Sequence, residues 1–198
     1  MNKERTAKPT GERDAILETA LEVGALLYGK FTLASGMESS FYFDGRLLTL
    51  SPKGGDQVGR ALLPMVRASG ADAIGGPTSG ADPMVAAVSL LSYQDGGKLI
   101  PGFFVRPKIK DHGTGKLIEG LLPENGKVAI VDDTCSTAGS LFQAIEAVES
   151  AGCQVVVVIT ILDRNQGGSE KLRKSGYMFR TLLESDQDGR ITVRKPDA

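Results

Sequence analysis

The sequence predicts an α/β fold built on a mostly parallel, doubly wound sheet flanked by helices. Three observations carry that prediction. Short apolar runs alternate with longer segments of helical periodicity along most of the chain. The runs at Val128–Val131 and Val155–Leu162 are dominated by Val and Ile, the pattern of strands buried on both faces. The strand from Val128 ends in Asp132-Asp133, and a small-residue segment, Thr134-Cys-Ser-Thr-Ala-Gly-Ser140, leads from it into a helix.

The elements follow in order. Residues 1–10 are polar, contain Lys3, Arg5, Lys8 and Pro9, and read as a flexible tail. Glu12–Tyr28 predicts a helix whose stripe is Ile16, Ala20, Leu21, Val23 and Leu27 and whose stop is Gly29. Phe31–Leu33 and Phe41–Phe43 predict short strands around Ser35-Gly36. Pro52–Ser69 predicts a second helix carrying Val58, Leu62, Leu63, Met65 and Val66, closed by Gly70. Ala71–Gly76 is a strand, Pro77–Asp82 a loop, and Pro83 sits at the favoured first position of a helix. Leu99–Val105 is a further strand. Strand 127–132, helix 140–151 and strand 154–162 make a βαβ unit, the helix presenting Leu141, Ala144, Ile145 and Val148 and ending at Gly152. Tyr177–Leu183 and Arg190–Arg194 supply a closing strand pair.

Composition bounds the function. At 198 residues and 41% hydrophobic the chain is expected to form one domain, 1–198, with a real core. A formal net charge of −1 gives no global positive field to hold nucleic acid or an anionic membrane, so neither is expected as a partner. Two cysteines and no recognisable secretory leader point to a reducing compartment, and the cytoplasm is the expected location. The longest apolar run, Val155–Leu162, is far too short to span a bilayer.

In an open parallel sheet ligands sit beyond the carboxyl ends of the strands, and that is where the chemistry concentrates. Backbone N–H groups of a small-residue loop at a helix start form an anion cradle, and Asp132 and Asp133 just before it can accept hydrogen bonds from a diol. A ribose 5-phosphate satisfies both. A second loop, Pro77–Asp82, follows a neighbouring strand. A third follows Leu162, where Asp163-Arg164 offers a guanidinium able to grip a carboxylate in bidentate fashion. A fourth element, Arg106-Pro-Lys-Ile-Lys-Asp-His-Gly-Thr-Gly-Lys116, gathers one Arg, three Lys and the single His of the chain around Gly113 and Gly115. It reads as a cationic lid able to cancel charge on a departing polyphosphate.

Asp132–Ser140 resembles the phosphoribosyl diphosphate signature of the type I phosphoribosyltransferases. The head Phe31–Asp44, the lid ending Lys110-Asp-His-Gly113, and Leu162-Asp-Arg164 are together similar to orotate phosphoribosyltransferases, in consistent order from about Phe31 to Gly168. The resemblance implies the type I fold with a small N-terminal hood and a flexible basic lid. It implies transfer of the 5-phosphoribosyl group from phosphoribosyl diphosphate to orotate, giving orotidine 5′-monophosphate and pyrophosphate, with Mg²⁺ bound mainly through the diphosphate and water and no dedicated protein ligand. Under it Asp132 and Asp133 hold the ribose hydroxyls, and the backbone of Thr134, Cys135, Ser136, Thr137, Ala138, Gly139 and Ser140 holds the 5-phosphate. Arg106, Lys108, Lys110 and His112 embrace the pyrophosphate, with Lys110, His112, Asp132 and Asp133 as the catalytic set. Ser136 and Arg164 contact orotate, and the lid reaches the partner subunit of a homodimer.

The chain departs from the family pattern at several positions. Pro107 stands where a second lid cation is common, Ala34 where the head often has Lys, and Ser79-Gly80 where Tyr-Lys is common; Lys108 and Ser79 are the candidates to compensate. Ala138 replaces a usual Gly, which requires that it keep a negative φ. Blander readings exist for single features. Arg164 could pair with Asp163 or Glu170, Phe41–Phe43 could be core alone, and Cys135 is better read as a small filler than as a thiolate at a helix start. Strand-Asp-Asp also occurs in receiver domains, although there it lies near the chain start. A purine or uracil transferase would share residues 128–140, and a regulator sensing phosphoribosyl diphosphate would add a basic face that is not visible here.

Overall fold

The computed structural model describes residues 11–32, 36, 38–107 and 117–194. The chain enters through helix α1 (Glu12–Glu22), which stops at Val23 because Gly24 turns the backbone left-handed at φ 72°. The expected helix to Tyr28 is therefore cut short. Leu26–Thr32 instead forms β1, which pairs antiparallel with β2 (Glu38–Phe43) in a two-stranded hood. Local periodicity at Val23 and Leu27 favoured helix, but the aromatic pairing Tyr28↔Phe41 and Leu27↔Tyr42 needs extended backbone. A short helix not anticipated, α2 (Gly45–Thr49), follows, with the Asp44 side chain accepting from the Arg46 N–H as its cap.

The main sheet then forms in the expected parallel class, with two elements the sequence reading does not contain, the edge strand β5 and helix α6. Helix α3 (Pro52–Ala68), strand β3 (Ala73–Pro77), helix α4 (Asp82–Gln94) and strand β4 (Gly102–Val105) precede a short β5 (Ile118–Gly120). Strand β6 (Lys127–Cys135), helix α5 (Gly139–Ser150) and strand β7 (Gln154–Asp163) make the central βαβ unit. Helix α6 (Gly168–Lys174), β8 (Phe179–Ser185) and β9 (Ile191–Val193) complete the sheet. Its order is β5-β4-β3-β6-β7-β8-β9, parallel throughout except for the antiparallel edges β5 and β9.

Successive residues of β6 alternate between two cores, which is the period-2 geometry of a strand covered on both faces. Ala129 and Val131 pack with Ile16, Leu62 and Val88 on the face of α1, α3 and α4, whereas Val128 and Ile130 pack with Leu141, Ile145 and Leu172 on the face of α5 and α6. Losing a side chain such as Ile130, fully buried, would cost about 2–5 kcal/mol. After β3 the chain steps outward to β4, then returns to β6 on the other side of β3. The switch point therefore lies between the carboxyl ends of β3 and β6, and there a ligand crevice is expected. Among the described residues no helix is long and apolar enough to cross a membrane.

Candidate active site

Asp132 and Asp133 lie near the carboxyl end of β6, which runs to Cys135 and so beyond the predicted end at Asp132. Asp132 is 6% exposed; it accepts from the Ser140 hydroxyl at 3.0 Å and from the Asp133 N–H at 2.9 Å. Burial, with the charge of Asp133 beside it, pushes its pKa up to about 7. Burial raises Asp133 as well, while the Thr134 hydroxyl, donating at 3.2 Å, opposes the shift.

The cradle proper is Ser136-Thr137-Ala138 and the start of α5. Unlike α2 and α3, whose first turns are capped by Asp44 and Ser51, α5 begins without a side-chain cap. Its first helical bond runs from the Phe142 N–H to the Ala138 carbonyl, so the N–H groups of Gly139, Ser140 and Leu141 precede the intrahelical ladder. Those donors and the positive end of the helix suit a phosphate. Ala138 has φ 64° and ψ 19°, so the requirement of a negative φ is overturned. The strain, about 1–2 kcal/mol for an L-residue, is offset by burial of its methyl group, the residue being 4% exposed in the α5 core. Thr134 and Cys135 belong to the strand and not to the loop. The Cys135 side chain is fully buried, and burial pushes its thiol up to about 12, consistent with a filler and not a thiolate.

Two glycines allow the surrounding loops to close on the acids. A Cβ on Gly80 would lie 2.5 Å from Asp132 Oδ1 and 2.9 Å from Asp133 Oδ1, and one on Gly45 would lie 2.4 Å from the Asp133 Cβ. The β3–α4 loop and α2 thus press against the carboxylates at the switch point. They bring three residues to which sequence reading gave no role. Asp82, heading α4, has a buried Oδ1 without a hydrogen-bond partner among the described residues and helps raise Asp132. Asp44 and Arg46 form an ion pair at 3.0 Å whose charges both act on Asp133. Their one sequence signal is a cap residue, Asp44, with an Arg two residues on.

Arg164 follows the neighbouring strand β7, with its N–H donating to the Cys135 carbonyl at 2.9 Å. Its guanidinium stacks 4.4 Å from the centre of the Phe41 ring, and Nη2 donates to the Ser39 hydroxyl at 3.2 Å. Nε is buried without a partner among the described residues, and burial lowers the pKa. The bland pairings are not made: Glu170 bonds Lys174 at 2.8 Å, and Asp163 accepts from the Asn165 N–H at 2.9 Å. Arg164 instead lines a cleft of about 710 Å³ with Ser39, Phe41, Asn165 and the β8–β9 turn at Asp186 and Asp188. Phe41 and Phe43 are buried, as the core reading holds, but Phe41 also floors this cleft. Arg106 follows the last residue of β4. Lys108, Lys110 and His112, like Ala34, lie outside the described residues.

The fold and site together define an α/β protein of the phosphoribosyltransferase class. The "Phosphoribosyl transferase domain" family model matches residues 71–188. The chain is 40% identical over 174 residues to an orotate phosphoribosyltransferase from Rhodopirellula baltica, covering 85% of this chain and 90% of the relative. It is 39% identical over 178 residues to one from Streptomyces avermitilis, covering 89% and 97%. A crystal structure of the Mycobacterium tuberculosis H37Rv orotate phosphoribosyltransferase in complex with 5-phospho-alpha-D-ribosyl 1-diphosphate superposes with TM-score 0.71 at 30% identity, covering 88% of this chain and 96% of that one. The chain therefore belongs to the phosphoribosyltransferase family and, within it, groups with the orotate phosphoribosyltransferases.

Proposed function

We propose that this chain transfers the 5-phosphoribosyl group of phosphoribosyl diphosphate to orotate, releasing pyrophosphate, in pyrimidine nucleotide synthesis. One observation carries the reading: near the end of β6, Asp132 of the acidic pair is bonded to the start of the uncapped helix α5, and an incompletely paired arginine follows the adjacent strand β7. That arrangement supports a diol-and-phosphate site beside a carboxylate reader, the pairing that joining a sugar phosphate to an acidic base demands.

The residues act by position and charge. Asp132 and Asp133 accept from the ribose hydroxyls, and the Ser136–Ser140 backbone holds the 5-phosphate. Arg164 takes the orotate carboxylate with the N–H capacity left over from Ser39, and Ser136 contacts the base. As the anomeric C–O bond stretches, the leaving group gains negative charge, and Arg106, Lys108, Lys110 and His112 stabilise that charge more than the ground state. The hard oxygens of Asp132 and Asp133 suit the hydration shell of a Mg²⁺ ion, which is expected to arrive on the diphosphate and to supply further charge neutralisation there. The chain is expected to work in the cytoplasm as a homodimer with the lid serving the partner's site. The test is orotate consumption matched by pyrophosphate release. Stoichiometric turnover that requires Mg²⁺ is expected, and turnover of hypoxanthine or uracil with orotate untouched would overturn the assignment.

A further inference from the structure

The lid stem carries a contact that the reaction chemistry alone does not require. Strands β4 and β5 pair antiparallel, Phe104 opposite Glu119 and Val105 opposite Ile118, and the Arg106 N–H donates to the Leu117 carbonyl at 2.9 Å. Among the described residues, Arg106 with Leu117 is the last backbone pair of this antiparallel ladder. Arg106 and Glu119 are diagonal neighbours on one face of that ladder, within reach of long side chains. The Arg106 Nε donates to Glu119 Oε1 and Nη2 to Oε2, each at 2.8 Å, a side-on fork.

This fork is poorly suited to stabilising the fold. The two side chains are 29% and 42% exposed, and ion pairs of that exposure contribute little to stability. Backbone bonds already fix the register of the stem. What the fork does fix is direction. An arginine has five N–H donors; the carboxylate takes one from Nε and one from Nη2, and Nη1 lies outside the pair. A guanidinium clamped on one edge presents the other edge to a second anion, with part of its rotamer freedom already lost.

We propose that Glu119 is a positioning residue that holds Arg106 by its Nε–Nη2 edge, so that the remaining edge meets the diphosphate of the donor. This rests on the assignment of Arg106 to the diphosphate made above. Glu119 touches no substrate; it sets the affinity of the donor through Arg106. One clamped cation is worth more than a free one at this stem, where Pro107 has replaced a second.

Steady-state kinetics of E119Q, E119A, R106A and the double variant E119A/R106A test it, with circular dichroism as the check on folding. E119A is expected to raise the KM for phosphoribosyl diphosphate about tenfold, the loss of about one charge-assisted bond, while the KM for orotate stays within about twofold. E119Q, which keeps one acceptor, should fall between E119A and the wild type, and it serves as the test if E119A does not fold. E119A/R106A should be no worse than R106A. Unchanged donor KM in E119A and E119Q, an equal rise for orotate, or a full additional loss from E119A in the R106A background would overturn the proposal. If R106A itself leaves the donor KM and pyrophosphate inhibition unchanged, the assignment of Arg106 to the diphosphate fails, an outcome distinct from failure of Glu119 alone.

Discussion

Asp132 shows at the scale of one residue how this site trades stability for function. Its carboxyl, held near 7 when folded against an ordinary 3.8, binds more protons in the native state than in the unfolded state between those values. Its contribution to stability is therefore fully favourable below about pH 4 and is lost as pH rises toward 7. Asp132→Asn should accordingly gain stability at pH 8, by up to about 4 kcal/mol for a shift of roughly three pH units, and the gain should vanish near pH 4. Its kcat/KM should fall about 100-fold through loss of a charged acceptor. Thermal unfolding of both proteins across that pH range is the check, and a gain that does not depend on pH would refute the assignment. Asp132, Asp133 and Arg164 stand out in the sequence because each sits at the end of an apolar run. Ala138 was legible as an anomaly, yet its left-handed φ was not, since the buried methyl that offsets the strain is visible only in the packed core.

At the scale of elements, the strand-loop-helix unit from Lys127 to Ser150 was read correctly because β-branched residues, small residues and helical periodicity agree there. The hood was read in part. Leu26–Tyr28 carries helix-compatible residues and becomes a strand only through pairing with Phe41–Phe43, a contact at long range. The helices α2 and α6 and strand β5 are too short to leave a periodic signature. The β3–α4 loop lies against Asp132 and Asp133. Its Gly80 is a close-approach residue, so Gly80→Ala must push the loop from the carboxylates and should reduce kcat/KM for the donor more than tenfold. The far-ultraviolet circular dichroism should stay unchanged, since the loop lies outside the sheet. Wild-type kinetics in the Gly80→Ala variant would show that this loop does not need to touch the acids.

For the whole molecule, the two lines of chemistry meet because β3 and β6 are neighbours although they are far apart in sequence. Strands β4 and β5, which flank the basic segment, lie on the far side of β3 from Asp132, and the proposed sharing of that segment between subunits is open to a complementation test. Mixing Lys110→Ala with Asp132→Asn should then restore activity, since half the pairs formed at equal mixing are mixed and each holds one intact site. About a quarter of the wild-type rate is expected, and no recovery after verified subunit exchange would assign each lid to its own chain. The class of sheet, the acidic pair at the strand end, the small-residue start of α5 and the arginine after β7 are readable from sequence, because strand ends and helix starts are local patterns of residue type. Folding alone brings Asp82, Asp44 and Arg46 near the acids, Arg164 onto Phe41, and Glu119 against Arg106. Each of those contacts joins elements whose separation is set by sheet order and strand register, which long-range pairing fixes and local pattern does not.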